Sequence, residues 1–336
     1  MLRFIARRLA LMPLLLWGVI TIAFFLSHSV SNPLAAIVGE RNLNNPDVVK
    51  AAEQRWGLDK SLPEQYVVYL KNLAHGDMGT SFRTKSGVLS DLSSRLPATL
   101  ELAAFALVLS IVLGVALGVL AARNRGKLVD GGIRVFALAG SSLPVFWIGL
   151  LFLFIFYASW GIAPGPGRLS PRVDPPPHLT GFYTIDSLAA GNFPLFSDAF
   201  QHLIMPGFIM SLALLGTIIR IVRSQMLEEQ SSDYVRTARA KGMTMNQAFN
   251  RHVLKNSITP VVTIIGVSIG MLIMGAVLIE TIFSWNGIGT YAVESSRSLD
   301  FPAITGVCLI GGVIFLISNL LADIAYAVVD PRVRLT

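Results

Sequence analysis

Apolar residues along this chain do not alternate with polar ones. They come in long runs separated by polar segments. A run of about 20 mostly apolar residues is enough to cross a bilayer as a helix. Six such runs are visible, at about 8–29, 96–122, 129–160, 198–223, 257–283 and 303–329. The pattern predicts an all-α polytopic membrane protein with six transmembrane helices. Residues 31–95, between the first two runs, are too polar to stay in lipid. They predict a small helical subdomain on the outer face, with helix-like pieces at 46–56 and 63–74; a plain surface loop is the simpler alternative. Segment 161–197 is rich in Pro and Gly and reads as external, and 284–302 as external or a short re-entrant hairpin. The chain thus divides into an N-terminal helix (1–30), the external subdomain (31–95), a membrane domain (96–329) and a tail (330–336).

The third run is interrupted by Ser141-Ser142-Leu143-Pro144. A proline inside a helix removes one backbone hydrogen bond and predicts a kink. The freed carbonyl then needs a neighbouring helix or a water-filled path. Gly114 with Gly118, and Gly266 with Gly270, are GxxxG pairs that let helices approach closely.

The polar island at 231–256, between the fourth and fifth runs, is the most informative stretch. It predicts two short helices. Ser231, Ser232 or Asp233 can cap the first, which runs from Tyr234 to about Lys241. Gly242 follows, where a left-handed C-terminal cap is wanted. Thr244 starts the second helix, and Gln247 completes a capping box. Met245, Ala248, Phe249, His252 and Val253 share one face at helical spacing. Arg236, Arg239, Lys241, Arg251 and Lys255 make the segment basic. An ordinary loop needs neither two sets of caps nor the small residues Ala238, Ala240 and Gly242. A surface for a partner does.

The stretch YVRTARAKG, Tyr234 to Gly242, resembles the conserved cytoplasmic loop of ABC importer permeases in its dipeptide and oligopeptide variant. Ala238 and Gly242 match the wider permease pattern. Arg236 stands where that pattern has Glu, Thr237 where it has Ala, and Lys255 where it has a final Pro. The resemblance extends to GLDKSLPEQYVVYL (57–70), GDMGTSF (76–82), ETIFSW (280–285) and the ending DPRVR. It covers nearly the whole chain and is to the B-type permease subunit. It implies the type I ABC importer permease fold. It also implies a coupling loop that docks on ATPase subunits through Tyr234, Arg236, Ala238, Arg239, Ala240, Lys241, Gly242, Gln247 and Phe249. The implied partners are a second homologous permease, two ATP-binding cassette ATPases, an external substrate-binding protein and membrane lipid. ATP and Mg2+ would sit on the ATPases, and this chain would bind no cofactor.

Composition fits this picture: 53% of residues are hydrophobic, 14% are charged, and mean hydropathy is +0.62. The net charge of +7 comes from residues flanking the spans, so it orients the chain rather than inviting nucleic acid. Arg3, Arg7 and Arg8, then Arg123, Arg125 and Lys127, then the island predict that both termini lie in the cytoplasm, and the resemblance implies a bacterial inner membrane. Residues 31–95 carry basic residues too, but segments beyond about 60 residues cross largely regardless of charge. No small-residue cleavage site follows the first run, which reads as an uncleaved helix. The single cysteine, Cys308, permits no internal disulfide.

Enzyme chemistry finds little support. Gly266-Val267-Ser268-Ile269-Gly270 fits the nucleophile elbow, but that motif needs a strand, a turn and a helix, and here it lies inside one apolar run. There is no phosphate-binding G-x-x-x-x-G-K-[ST] loop and no metal-site spacing. Polar groups at membrane depth are costly and mark either a path or interhelical hydrogen bonds. Ser141, Ser142, Ser211, Thr217, Thr263, Ser268 and Asn319 are the path candidates, with Asp323 four residues beyond Asn319. Glu101 and Glu280 read as interfacial. Uptake of nickel chelates, glutathione, oligosaccharides or opine-like solutes by the same architecture stays open. So does an ion-driven carrier, which would need symmetric broken helices.

Overall fold

A computed structural model describes residues 2–30, 38, 44–56 and 59–329. The tail DPRVR, Arg41, Gly57 and Leu58 lie outside the described residues. All six apolar runs are helical, and no strand occurs among the described residues.

Helix α1, Leu2–Val30, contains the first run. Two short helices follow, α2 (Pro46–Trp56) and α3 (Leu62–Ala74). α3 opens with a capping box in which the Ser61 N–H donates to Glu64 at 3.0 Å. It leans on α1 through aromatic packing: the Phe24 ring lies 5.3 Å from Tyr66 and 5.5 Å from Tyr69. The Tyr66 hydroxyl also bonds that of Thr21 at 2.6 Å.

α4 spans Val88–Arg123 and begins well upstream of the apolar run it carries. α5 (Leu128–Ser142) and α6 (Val145–Phe152) share the third run, and a π-helical turn, Leu153–Ser159, extends α6. α7 (Tyr183–Ala189) lies in the Pro/Gly-rich segment, and α8 (Phe193–Glu229) is the long fourth span. The island holds α9 (Asp233–Ala240), α10 (Met245–Ala248), a π turn (Phe249–Val253) and α11 (Leu254–Ser257). α12 (Thr259–Ile282), α13 (Ile288–Arg297) and α14 (Phe301–Val329) complete the described chain.

The expected kink in the third span is a full break. Proline disfavours the α conformation in the residue before it. Leu143 accordingly has ψ 141°, and α5 and the α6 arm meet at 106°.

α8 is the most enclosed of the long apolar helices, with α4, α5 and α12 packed around it. Glycine sets the α4–α8 distance. A Cβ on Gly114 would come within 2.7 Å of Ile218, and one on Gly118 within 2.7 Å of Val222. The α12–α14 contact is built alike: a Cβ on Gly266 would meet the Ala322 Cα at 2.4 Å. Both glycine pairs therefore serve close helix packing. α14 is sandwiched between α1 and α12.

Candidate functional site

The island folds largely as its sequence predicts. α9 begins at Asp233 rather than Tyr234, and Ser232 holds the N-cap position. The Ser232 hydroxyl makes no cap bond; it donates back to the Glu229 carbonyl at 2.6 Å. Gly242 has φ +93°, the left-handed region where a side chain is strained. Thr244 and Gln247 form the capping box: the Thr244 N–H donates to Gln247 at 2.9 Å, and the Gln247 N–H to the Thr244 hydroxyl at 3.3 Å.

One face of the island is anchored. Val235, Ala248, Phe249 and Val253 are buried in the core shared with α4, α8 and α12. Arg123, at the end of α4, places its guanidinium 4.8 Å from the Phe249 ring centroid and bonds Asn250. The other face is free. Tyr234, Arg236, Arg239, Ala240, Lys241, Gly242, Gln247 and Arg251 are exposed, and Ala238 is half-buried. Lys241, Gly242, Met243, Gln247, Asn250 and Arg251 line a shallow depression there. Burial, reinforced by a hydrogen bond to Glu229, pushes the Tyr234 hydroxyl above its usual range.

A cavity of about 590 Å3 lies between α6, α8 and α12. Its walls are mostly apolar and include Val145, Met210, Leu214, Met271 and Leu272. Two of the predicted path residues, Thr217 and Ser268, supply hydroxyls to it. Ser141 stands beside its rim, because Arg220 donates to the hydroxyls of both Ser141 (3.3 Å) and Thr217 (3.4 Å). Ser142 is exposed near the helix break, and Asn319 is half-buried on α14; neither lines the cavity. Ser211 is fully buried. Its hydroxyl donates to the Phe208 carbonyl at 2.6 Å, and its own carbonyl accepts from Ser110 of α4. Thr263 and Asp323 carry side chains outside the described set.

The two arginines near the end of α8 part company. Arg220 is exposed. Arg223 forms a two-pronged pair with Asp130, 2.6 Å from Nε and 2.9 Å from Nη2. Asp130 is buried and also accepts from the Gly126 N–H at 3.0 Å. Arg223 is thus turned inward rather than snorkelling toward the interface.

At the opposite end, around Trp285, stand Glu101 and Glu280, which the sequence reads as interfacial. Both are buried. Glu101 pairs with Arg168 at 2.6 Å and accepts from the Thr184 N–H and hydroxyl. Glu280 accepts from Thr99 and from the Thr290 N–H, so its carboxylate caps the start of α13. Trp285 donates its indole N–H to the Ala98 carbonyl at 2.9 Å. The partners are far apart in sequence, and only the pairing of acidic residues with Thr and Arg in external segments hinted at them. Among the described residues there is no cluster able to hold a metal ion.

Comparison with known proteins places these features. The family described as binding-protein-dependent transport system inner membrane component matches residues 114–335. The N-terminal part of such membrane components matches residues 1–103. The chain is 41% identical to a probable D,D-dipeptide transport system permease protein of Escherichia coli (strain K12), over 94% of this chain and 93% of the relative. It is 40% identical to a di/tripeptide transport system permease protein of Pseudomonas aeruginosa (strain UCBPP-PA14), over 99% of both. It is 38% identical to the dipeptide transport system permease protein of Escherichia coli (strain K12), again over 99% of both.

Proposed function

The chain belongs to the binding-protein-dependent transport system inner membrane components, and from that premise we propose that it is the permease subunit of an ATP-driven peptide importer. The fold is that of type I ABC importer permeases. Relatives of near-full-length overlap are named for dipeptide or di/tripeptide transport, which supports di- and oligopeptides as the solute.

The observation that carries the mechanism is the two-faced island. Its apolar face is locked into the membrane core, while its basic, exposed face turns away from it. A rigid element of that kind transmits force. When a partner pushes on Tyr234, Arg236, Arg239 or Lys241, the anchored Phe249 and Val253 pass the displacement to α4, α8 and α12. In this reading two ATPase subunits dock here and hold the ATP and Mg2+. The island, α4's basic end and both termini lie in the cytoplasm. α2, α3, α7 and α13 face outward, where a binding protein delivers solute. A second, homologous permease closes the cavity between α6, α8 and α12 into a path. The chain itself performs no catalysis.

The test is Gly242→Trp in the assembled transporter. A residue with a Cβ in the left-handed region costs about 1–2 kcal/mol, and the indole would also obstruct docking. The variant is expected to reach the membrane and to lose at least about 90% of ATP-driven uptake, since a misplaced docking element forfeits coupling. Uptake at the unaltered level would remove this island as the coupling element. Nickel chelates and other non-peptide solutes remain within the same architecture; solute carried by the co-purifying binding protein separates them.

A further inference from the structure

Arg220 stands out among the membrane-proximal arginines. Arg168 has Glu101, and Arg223 has Asp130. Arg220 has no carboxylate within ion-pair distance among the described residues. Its two bonds, to Ser141 and Thr217, are long, at 3.3 and 3.4 Å. Each of those hydroxyls already donates to a backbone carbonyl, Ser141 to Ala137 and Thr217 to Ala213. They can therefore only accept from the guanidinium, and neither brings a negative charge to it. A guanidinium carries five N–H donors in a fork that matches a carboxylate.

Its position gives that charge a use. Thr217 lines the cavity between α6, α8 and α12, and Arg220 lies on the same face of α8, three residues further along. The other wall-forming residues of the cavity are apolar apart from Ser268. Ser141 lies in the last turn of α5, next to the 106° break, and Val145, the first residue of α6, lines the cavity, so the N-terminus of α6 opens onto it. The result is an apolar chamber with a cation at its rim that has no carboxylate partner among the described residues.

We infer that Arg220 receives the carboxylate of the solute as it passes through this cavity, so that the path favours small carboxylates with apolar bodies, free-acid peptides among them. The inference rests on the importer reading given above. Ser141 and Thr217 hold the guanidinium in a waiting position, and the solute's carboxylate replaces these long bonds with shorter, charge-assisted ones. The competing use of such a cation is a lipid phosphate.

The test is uptake of radiolabelled alanylalanine by proteoliposomes holding the whole transporter with its binding protein, for the unaltered chain, Arg220→Gln and Arg220→Lys. Loss of a charge-assisted contact is expected to lower uptake by Arg220→Gln about tenfold. Arg220→Lys should recover a substantial part of it. Stimulation of ATP hydrolysis by the loaded binding protein should persist in both variants, which a merely misfolded subunit would not allow. The same deficit should hold in liposomes with and without phosphatidylglycerol. Equal uptake by Arg220→Gln and the unaltered chain would overturn the assignment while leaving the importer reading intact. So would a deficit confined to liposomes with phosphatidylglycerol, which would make Arg220 a lipid anchor. Loss of stimulated hydrolysis together with uptake, without rescue by Lys, would make it structural. An unaltered assembly with no ATP-driven uptake would overturn the importer reading itself, and this assignment with it.

Discussion

The two ends of the helix bundle are built on opposite principles. At the Trp285 end every buried carboxylate has its donors: Glu101 takes Arg168 and Thr184, Asp186 takes Thr180 and Gly181, Glu280 takes Thr99 and Thr290, and Asp300 takes Ser81 and Arg83. At the island end, apolar side chains, the Arg123–Phe249 stack and one buried pair, Asp130 with Arg223, do the anchoring, and the island's own cations face outward. Buried polar groups are held in one geometry because an unpartnered one is costly. Exposed charges on a capped helix pair are free to be claimed by another chain. The Trp285 end is thus largely finished within the subunit, with only Arg168 Nε, Thr290 Oγ1 and Ser295 Oγ buried and unpartnered among the described residues, whereas the island leaves its cations exposed.

Breaking the finished end should cost most. Arg168→Ala would strand Glu101, whose side chain is 5% exposed, and removing one partner of a buried pair costs about 3–5 kcal/mol. Thermal unfolding of the detergent-purified protein should fall accordingly, and adding Glu101→Gln should restore part of the loss. A double variant no more stable than Arg168→Ala would show that the ion pair is not what holds this end. At the island end the expected effects are smaller and local. Thr244→Ala removes a capping bond worth about 1 kcal/mol. Hydrogen exchange at Gln247 and its neighbours should speed up while the global melting temperature stays put; a global shift would mean that the island is a structural keystone.

The smallest effect concerns acid. Burial alone would push the Asp186 carboxyl up, but donation from Thr180, Gly181 and Leu179 outweighs it and holds the group below the usual 3.8. A carboxyl depressed on folding adds stability that is complete above the unfolded value and fades as pH falls through the lower folded one. Unfolding temperatures measured from about pH 5 downward should therefore drop less steeply for Asp186→Asn than for the unaltered chain. Parallel curves would show that Asp186 does not contribute to this acid sensitivity.

The contrast also explains what could be read from sequence. The island was legible because its determinants are local: Gly242 ends one helix, and Thr244 with Gln247 starts the next, within a few residues. The apolar runs and the glycine pairs were legible for the same reason, since length and spacing carry them: among the described residues four helices are long and apolar enough to cross a membrane, the bent pair makes a fifth, and Ala10–Phe25 is a shorter apolar stretch. Glu101 and Glu280 were not. Their partners Arg168, Thr184 and Thr99 come from distant segments, so nothing near either residue signals burial. The path candidates scatter over the structure for a related reason. A hydroxyl in an apolar run has no sequence mark for the side of the helix it serves. Thr217 and Ser268 meet in the cavity, whereas Ser211 satisfies itself against its own helix.

The break at Leu143–Pro144 has a consequence for how the protein is made. α5 contains 15 residues, and at 1.5 Å per residue it covers about 22 Å, short of a hydrocarbon core about 30 Å thick. The α6 arm, Val145–Ser159, is no longer. Neither half is long enough to cross on its own, and a backbone bent at membrane depth needs protein or water beside its polar groups. α8, which is synthesised later, packs against α5 just before the bend, where a Cβ on Gly140 would stand 3.3 Å from the Leu212 carbonyl, while Ser142, Leu143 and Pro144 stay exposed. The third span is therefore expected to hold in the bilayer only beside a neighbour such as α8, and a chain truncated before the fourth span should fail to keep it inserted.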